Sequence, residues 1–115
     1  MALEDELLQG LIVDLRRGTL VLAVLSCLDR PKYGYSLLQD MEKLGIRIDV
    51  NTLYPMLRRL ESQGILESNW DTSENRPRKY YEMSRRGHEL FTQLKGEWRK
   101  MTREMESVLG KGEKK

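Results

Sequence analysis

The longest uncharged stretch of the chain, Gly18 to Leu28, contains eleven residues. A helix of this sequence is apolar nearly all round, so it is expected to lie at the centre of a core with other elements packed around it. The stretch is well short of the ~20 residues that a membrane-spanning helix needs, and no contact with a membrane is expected. A chain of 115 residues is expected to form one domain around such a helix.

Two helices are predicted to flank this core helix in the sequence. The first covers Leu7 to Leu15, where apolar residues recur every three or four positions, and Thr19 can then cap the core helix. After a turn at Pro31, another helix is predicted from Ser36 to Leu44 and ends at Gly45, a residue suited to the left-handed conformation. The predicted buried stripe of this helix is Leu37, Met41 and Leu44.

A fourth helix follows a short extended stretch, which is predicted for Ile46 to Val50 because apolar and polar residues alternate there. Asn51 or Thr52 is expected to cap the helix, so that Pro55 falls in its first turn, and Gly64 is expected to end it. Its predicted buried stripe is Leu53, Leu57 and Leu60. On a helical wheel the opposite face carries Asn51, Pro55, Arg58 and Ser62, flanked by Thr52, Tyr54 and Arg59.

Two strand-like segments, Leu66 to Asp71 and Arg78 to Met83, are separated by a polar loop from Thr72 to Pro77, and this pattern predicts a β-hairpin. The net charge of the chain is only +2, but positive charge is concentrated near this hairpin. Such a local stripe suits contact with phosphates. The basic residues between positions 76 and 86 are Arg76, Arg78, Lys79, Arg85 and Arg86.

The last helix is expected to begin after Ser84, which serves as its cap. Apolar residues then alternate at spacings of three and four, which is typical of the seam of a coiled coil. A single seam of this length most simply pairs with its copy in a second chain. The seam residues are Phe91, Leu94, Trp98, Met101, Met105 and Val108.

The predicted fold is therefore mainly α with a small β-hairpin, a winged helix-turn-helix followed by a long dimerisation helix. We expect residues 1–85 to form the DNA-binding domain, residues 86–110 the dimerisation helix, and residues 111–115 a disordered tail. A winged helix also serves as a protein-binding module in other proteins, so a protein–protein interaction function without specific DNA binding is the alternative.

Four short stretches carry a family resemblance. They are Arg17-Gly18-Thr19-Leu20, Tyr33-Gly34-Tyr35-Ser36, the segment from Asn51 to Gly64, and Pro77-Arg78-Lys79-Tyr80-Tyr81 followed by Ser84 and Gly87. With these stretches, residues 16–100 resemble the short-chain members of the PadR family of bacterial transcriptional regulators. Met83-Ser84 stands where the family usually has Leu-Thr, which keeps an apolar residue and a hydroxyl cap. The resemblance implies a homodimeric repressor that binds a palindromic operator in double-stranded DNA and is released by a small effector.

The predicted DNA-binding surface combines the start of the third helix, the outward face of the fourth and the hairpin. Arg58 is expected to enter the major groove, because it lies opposite the leucine stripe of a capped helix. Tyr54 either packs against the hairpin or contacts a phosphate, and only one of Arg78 and Lys79 is expected to point fully outward. The predicted set is Tyr35, Ser36, Asn51, Thr52, Tyr54, Pro55, Arg58, Arg59, Arg76, Arg78 and Lys79.

A second predicted site involves Trp98, which lies in the middle of the seam. It either packs in the dimer interface or, with its copy, lines a cleft for a small flat aromatic effector. Some members of the family that the chain resembles bind phenolic acids or hydrophobic drugs in such a place. Whether the first helix packs on its own chain or across the dimer is left open by the sequence. The predicted cleft or interface residues are Leu8, Ile12, Phe91, Leu94, Trp98, Met101 and Met105.

No catalysis, metal or cofactor is expected. Cys27 is the only cysteine and His88 the only histidine, and they are far apart in the sequence, so neither a nucleophile with an adjacent base nor a set of metal ligands is predicted. The acidic start of the chain and its single cysteine predict a cytoplasmic protein.

Overall fold

The computed structural model describes residues 2–113, which form five helices and a three-stranded sheet. The elements are α1 (Ala2–Arg17), α2 (Leu20–Cys27), β1 (Lys32–Tyr33), α3 (Gly34–Lys43), α4 (Val50–Ser62), β2 (Leu66–Asp71), β3 (Arg78–Met83) and α5 (Arg85–Glu113). The predicted class, mainly α with a small β-hairpin, is confirmed. α5 continues past residue 110, where a disordered tail was predicted, and residues 114 and 115 lie outside the described part.

The core surrounds α2, as the sequence predicts. Val24 and Leu25 are buried in one cluster with the apolar stripes of α3 and α4, and α2 itself packs chiefly against α3 and α5. The sheet closes the remaining side through the inward side chains of its two longer strands. The least exposed side chains of this core are Val24, Leu25, Leu28, Leu37, Met41, Leu53, Leu57, Leu60 and Leu66.

The sheet contains one more strand than predicted. The bounds of the hairpin strands β2 and β3 are those expected, but β1 adds Lys32 and Tyr33 on the other side of β3. In this antiparallel pairing, Lys32 lies opposite Tyr81 and Tyr33 opposite Tyr80. Lys32 also forms ion pairs with Asp40 at 2.7 Å and Asp29 at 3.4 Å. The short strand is thus fastened to both the sheet and α3.

Two helix starts differ from the prediction. α4 begins at Val50 and is capped by Asp49, whose carboxylate accepts a hydrogen bond from the backbone N–H of Asn51 at 2.9 Å. The predicted extended stretch is therefore a loop that ends in a helix, and Pro55 lies in the second turn. Thr19 precedes α2, but its hydroxyl donates to the carbonyl of Arg16 at 2.8 Å and does not cap α2.

The predicted ends of α3 and α4 are confirmed by backbone conformation. Gly45 has φ 81° and Gly64 has φ 77°, the left-handed region that favours glycine. The predicted stripe of α3 is wrong at one position, since Leu44 is exposed while Leu37 and Met41 are buried. Leu44 follows the last helical residue of α3, so its side chain no longer continues the stripe.

The start of α5 is attached to the turn between α4 and β2. Ser84 caps the helix as predicted, because its Oγ accepts a hydrogen bond from the N–H of Gly87 at 2.9 Å. The same oxygen lies 2.6 Å from the carbonyl oxygen of Gly64 and 3.1 Å from that of Ile65. These contacts fix the direction in which α5 leaves the sheet.

Apolar side chains are exposed along α1 and along the outer part of α5. Each helix within residues 2–113 is either too short or too polar to span a lipid bilayer. The exposed apolar residues of the two helices are Leu3, Leu7, Leu8, Leu11, Val13 and Leu15 of α1, and Leu94, Trp98, Met101, Met105, Val108 and Leu109 of α5.

Candidate nucleic-acid interface

α4 presents a polar and basic face to solvent. Leu53 and Leu57 are fully buried, whereas Asn51, Pro55 and Arg58, on the opposite side of the helix, are exposed. This division follows from the helical period of 3.6 residues, which separates the two sets by about half a turn. The outward face is therefore free to enter the major groove of a duplex, as a recognition helix does.

The hairpin is held beside α4 through Glu61. Its carboxylate accepts a hydrogen bond from the hydroxyl of Ser68 on β2, and it lies 3.3 Å from Nζ of Lys79 on β3. The hydrogen bond from Ser68, followed by the charge of Lys79, lowers the pKa of Glu61, so the carboxylate stays ionised at neutral pH. The hairpin and α4 are thus joined near the C-terminal end of the helix.

A second group of contacts fixes the outer part of the hairpin. The hydroxyl of Tyr33 donates to Oδ2 of Asp71 at 2.6 Å, and Ser73 donates its hydroxyl and its N–H to Oδ1 of the same residue. The bonds from Ser73 and Tyr33 lower the pKa of Asp71 to about 2. The bond to Asp71 also raises the pKa of Tyr33. The guanidinium of Arg78 lies 5.0 Å from the centre of the Tyr33 ring.

A cleft of about 530 Å³ lies between α4, the start of α3 and the hairpin. We call it the aromatic cleft. It brings together five of the predicted DNA-binding residues, which come from three different segments of the chain. Its lining consists of Tyr33, Gly34, Tyr35, Tyr54, Arg58, Trp70, Arg78, Lys79 and Tyr81.

Tyr54 and Gly34 are in close contact at the floor of this cleft. A Cβ atom at position 34 would lie 2.6 to 2.9 Å from two ring carbons and the hydroxyl oxygen of Tyr54. Tyr54 is half-buried and also packs against the core, while its contact with a phosphate stays a prediction. The absence of a side chain at Gly34 is what lets α3 approach α4 so closely.

Trp70 was not among the predicted site residues, although it lines the aromatic cleft and is 63% exposed. It lies opposite Lys79 in the hairpin, on the same side of β2 as the buried Leu66. The sequence did contain a signal for Trp70. It lies four positions after Leu66, so both side chains point to the same side of β2, but Trp70 is close to the tip of the hairpin. The strand leaves the core before it reaches position 70, so this side chain is offered to solvent.

The cations of this surface are not equally available. Arg78 and Lys79 point to opposite faces of β3, as predicted; Arg78 is exposed, and Lys79 is half-buried. Lys79 is paired with Glu61, and its Nζ lies 5.3 Å from the centre of the Tyr81 ring. Within residues 2–113, Arg58 takes part in no ion pair. Arg78 lies 3.7 Å from the carboxylate of Glu74, so among the described residues Arg58 is the cation of the cleft that has no ion pair.

The other predicted DNA-binding residues lie outside the aromatic cleft. Arg76 is exposed in the hairpin loop, and Arg59 is exposed on one flank of α4. Ser36 lines a neighbouring groove with Pro31, Lys32, Tyr33 and Tyr80. Thr52 lines a groove on the side of α4 away from the hairpin.

The predicted effector residues are only partly brought together within one chain. Ile12 and Trp98 line a shallow groove of about 350 Å³ with Leu15, Arg16 and Thr19. Phe91 packs against the core instead, with Nζ of Lys95 4.7 Å from its ring centre. The exposed residues of the predicted set are Leu8, Leu94, Trp98, Met101 and Met105.

Comparisons with known proteins give a consistent result. Residues 21–93 match the sequence profile of the Transcriptional regulator PadR-like family. The chain is 31% identical over 77 residues to Transcriptional regulator Rv3488 of Mycobacterium tuberculosis, a match covering 67% of this chain and 72% of that protein. The crystal structure of a PadR family transcriptional regulator from Eggerthella lenta is 40% identical, with TM-score 0.89, and the match covers 95% of this chain and 97% of that one. A PadR family regulator from Clostridium difficile is 26% identical with TM-score 0.72, over 79% and 98% of the two chains.

Proposed function

Because the chain belongs to the PadR-like family of transcriptional regulators, we propose that it is a homodimeric repressor that binds a palindromic operator and is released by a small hydrophobic or phenolic effector. Membership of this family confirms the resemblance found in the sequence. It also confirms the expectation that the chain is a regulator of transcription and not an enzyme. Its place of action in this proposal is the cytoplasm, where the operator is.

One observation carries the DNA-binding part of the proposal. α4 exposes Arg58, which has no ion pair among residues 2–113, directly opposite a stripe of fully buried leucines and beside the aromatic cleft. A helix in this position reads base edges in the major groove, and an arginine can make two hydrogen bonds to a guanine there. The hairpin, with Arg76 and Arg78 exposed, then lies over the flanking phosphates.

The exposed apolar faces of α1 and α5 support the homodimer. Trp98 and Met101 are 44% and 53% exposed, and Leu11 on α1 is 65% exposed. Residues 86–110 therefore act as a dimerisation helix in this proposal, with α1 completing the interface. A second copy would cover these faces and present two α4 helices about one turn of DNA apart, which explains the palindromic operator.

The effector part of the proposal rests on the groove beside Trp98. The groove is lined by Ile12 and Leu15 of α1 and by Trp98 of α5, so a flat apolar ligand there would contact both helices of the proposed dimer interface. A ligand that prefers one spacing of the two chains would shift the population between DNA-binding and released forms. Titration of planar phenolic compounds tests this part, followed by DNA affinity and by the fluorescence of a Trp70→Phe variant, in which Trp98 is the remaining tryptophan; no change in either signal would contradict it.

The alternative function is a winged-helix module that binds a protein and has no specific DNA target. The exposed tyrosine and tryptophan of the aromatic cleft, Tyr35 and Trp70, favour it to the extent that aromatic side chains are common in protein interfaces. The basic outward face of α4 favours DNA. The two functions predict different results when the protein selects from a pool of random duplexes, because only a sequence-specific regulator enriches one sequence.

The decisive experiment is selection from a random duplex library with the purified protein, repeated across a salt series. We expect an inverted repeat to be enriched, with log affinity falling steeply against log salt. Weak binding without sequence preference, lost near physiological salt, would contradict the regulator proposal and favour the interaction module.

Arg58→Ala sharpens this experiment. We expect the loss of about 1 to 3 kcal/mol of operator affinity, because one base contact is removed, with relaxed specificity at the contacted position. Lys79→Ala is the matched comparison, and it should weaken all sequences alike because in this proposal Lys79 contacts only a phosphate. The loss of affinity should be smaller than that of Arg58→Ala, since the ion pair with Glu61 already neutralises part of the charge of Lys79.

A further inference from the structure

A second groove borders α4 on the side away from the hairpin. Its volume is about 310 Å³, and it lies where the end of α1, the start of α2 and the turn before α4 meet. We call it the arginine groove. The polar side chains of its lining are those of Arg16, Arg17, Arg47, Asp49 and Thr52. None of the three arginines belongs to the DNA-binding set predicted from the sequence.

The two grooves lie on opposite flanks of one helix. The flank of α4 that faces the hairpin carries Glu61, which contacts Ser68 and Lys79. Tyr54 lies on the same flank. At 100° per residue, Thr52 lies on the other flank, and it lines the arginine groove. The exposed stripe that contains Arg58 is therefore bordered by the aromatic cleft on one side and by the arginine groove on the other, and both contain cationic side chains.

The dimensions of duplex DNA explain why charge on both flanks of α4 is useful for binding. A helix with its side chains is about 10 to 12 Å across, and the major groove is about 12 Å wide, so a helix in the groove lies close to both phosphate walls. In the proposed orientation, the hairpin contacts the phosphates of one wall. Cationic side chains on the opposite flank of α4 are positioned to contact the phosphates of the other wall.

The charges of the arginine groove favour an anion. Arg17 is paired with Asp14 at 3.3 Å, but neither Arg16 nor Arg47 takes part in an ion pair within the described residues. The one acid in the lining, Asp49, has its carboxylate engaged as the cap of α4. Arg16 and Arg47 are exposed, so both guanidinium groups are available to a ligand.

We propose that the arginine groove binds a backbone phosphate of duplex DNA, on the strand wall opposite the hairpin, through Arg16 and Arg47. This inference rests on the proposed function, because it needs α4 in the major groove. It extends the DNA-binding surface to the α1–α2 junction and to the turn before α4. The contact is with the backbone, so it contributes affinity and register on the duplex, and no base specificity.

Arg16→Gln, Arg47→Gln and the double variant test the proposal, because glutamine keeps much of the side-chain length and removes the charge. Each lost phosphate contact should reduce the slope of log affinity against log salt by about 0.9, which corresponds to about fivefold weaker binding near 0.15 M salt. The double variant should lose about twice that slope. Operator and unrelated duplex should be affected alike.

Arg103→Gln is the matched control. Arg103 is exposed on α5, on the side away from the seam, so its charge is removed far from α4. We expect its salt slope to equal that of the wild type. The mass of each variant, measured by light scattering without DNA, shows whether assembly is unchanged.

The outcomes separate this inference from the proposed function. If the wild type binds an inverted repeat and Arg58→Ala weakens it, but both groove variants keep the slope of the Arg103→Gln control, the groove is not a phosphate site and the inference is overturned. A different outcome is that the groove variants change the mass of the protein, with a loss of DNA affinity that the loss of the dimer fully explains. In that case a second chain covers the groove, and the inference is again overturned. If the wild type binds no duplex, both proposals fail.

Discussion

Residues 20–83 and the two helices that flank them differ in how their apolar side chains are covered. Leu37, Leu53 and Leu57 in the central body are fully buried within one chain. Leu7 and Leu15 on α1 are 63% and 81% exposed, although α1 has a regular apolar pattern too. The same type of pattern thus has two outcomes in this chain: it completes a core in the body, and it leaves apolar side chains exposed on the flanking helices.

The exposed surfaces of the two regions differ in chemistry as well. On α4 and the hairpin, the exposed side chains include arginines and hydrogen-bonding groups, which suit DNA. On α1 and the outer part of α5, the exposed seam is apolar, and large apolar patches mark sites of assembly. Under the proposed function, the body contacts DNA and the flanking helices hold two bodies at a fixed spacing.

The largest expected effect is that of Leu57→Ala in the body. Leu57 has no exposed surface, so its truncation should lower the free energy of unfolding by about 2 to 5 kcal/mol through lost burial and a cavity. Urea unfolding at several protein concentrations measures this loss. The loss should be the same at every concentration, because the cavity lies within one chain; a strong dependence on concentration would remove the distinction between the two regions.

Leu11→Ala on α1 should behave in the opposite way. Leu11 is 65% exposed in the single chain, so its truncation costs little there, but against a partner it would lose roughly 1.5 to 3 kcal/mol of burial per chain. Sedimentation equilibrium should show weaker dimerisation, and unfolding should be affected most at low protein concentration. An unchanged dimerisation constant would show that α1 lies outside the interface.

Gly87→Ala tests the junction between the body and α5. A Cβ atom there would lie 2.1 Å from the carbonyl oxygen of Ile65, so the helix or the turn has to shift. We expect a loss of about 1 to 3 kcal/mol in thermal unfolding, as for an overpacked site. Gly96→Ala is the matched control, since nothing lies within 4 Å of that position, and the helix should gain about 0.5 to 1 kcal/mol.

The smallest expected effect concerns pH and the hairpin. The pKa of Asp71 is lowered from its ordinary value of 3.8 to about 2 by the bonds from Ser73 and Tyr33. The stability that Asp71 contributes is therefore present above pH 3.8 and is lost as the pH falls toward about 2. Thermal unfolding of the wild type should weaken across this range more steeply than that of Asp71→Asn, with Tyr33→Phe between them. Equal slopes would contradict the role of these bonds.

The elements that were predicted correctly are those set by local sequence. The hairpin bounds follow from alternation around a polar loop, and the ends of α3 and α4 follow from Gly45 and Gly64. The outward face of α4 follows from helical period alone, which is why the sequence suffices to predict that Arg58 is exposed. In each of these cases the physical cause lies within a few residues of its effect.

The features that were missed depend on distant contacts or on competing caps. β1 has only two residues and exists because it pairs with Tyr80 and Tyr81, nearly fifty positions away. Asp49 caps α4 because the helix starts one residue before Asn51, and the alternation of the preceding stretch concealed that start. Trp70 belongs to the site only because the hairpin folds back beside α4.

The most direct test of the two-region description is the mass of the wild-type protein by sedimentation equilibrium, alone and with the selected operator duplex. We expect a species of twice the 13.5 kDa chain mass at micromolar concentration without DNA, and two chains per inverted repeat with it. A mass of one chain, with one chain bound per duplex, would contradict it, because the apolar faces of α1 and α5 would then have no second copy to cover them.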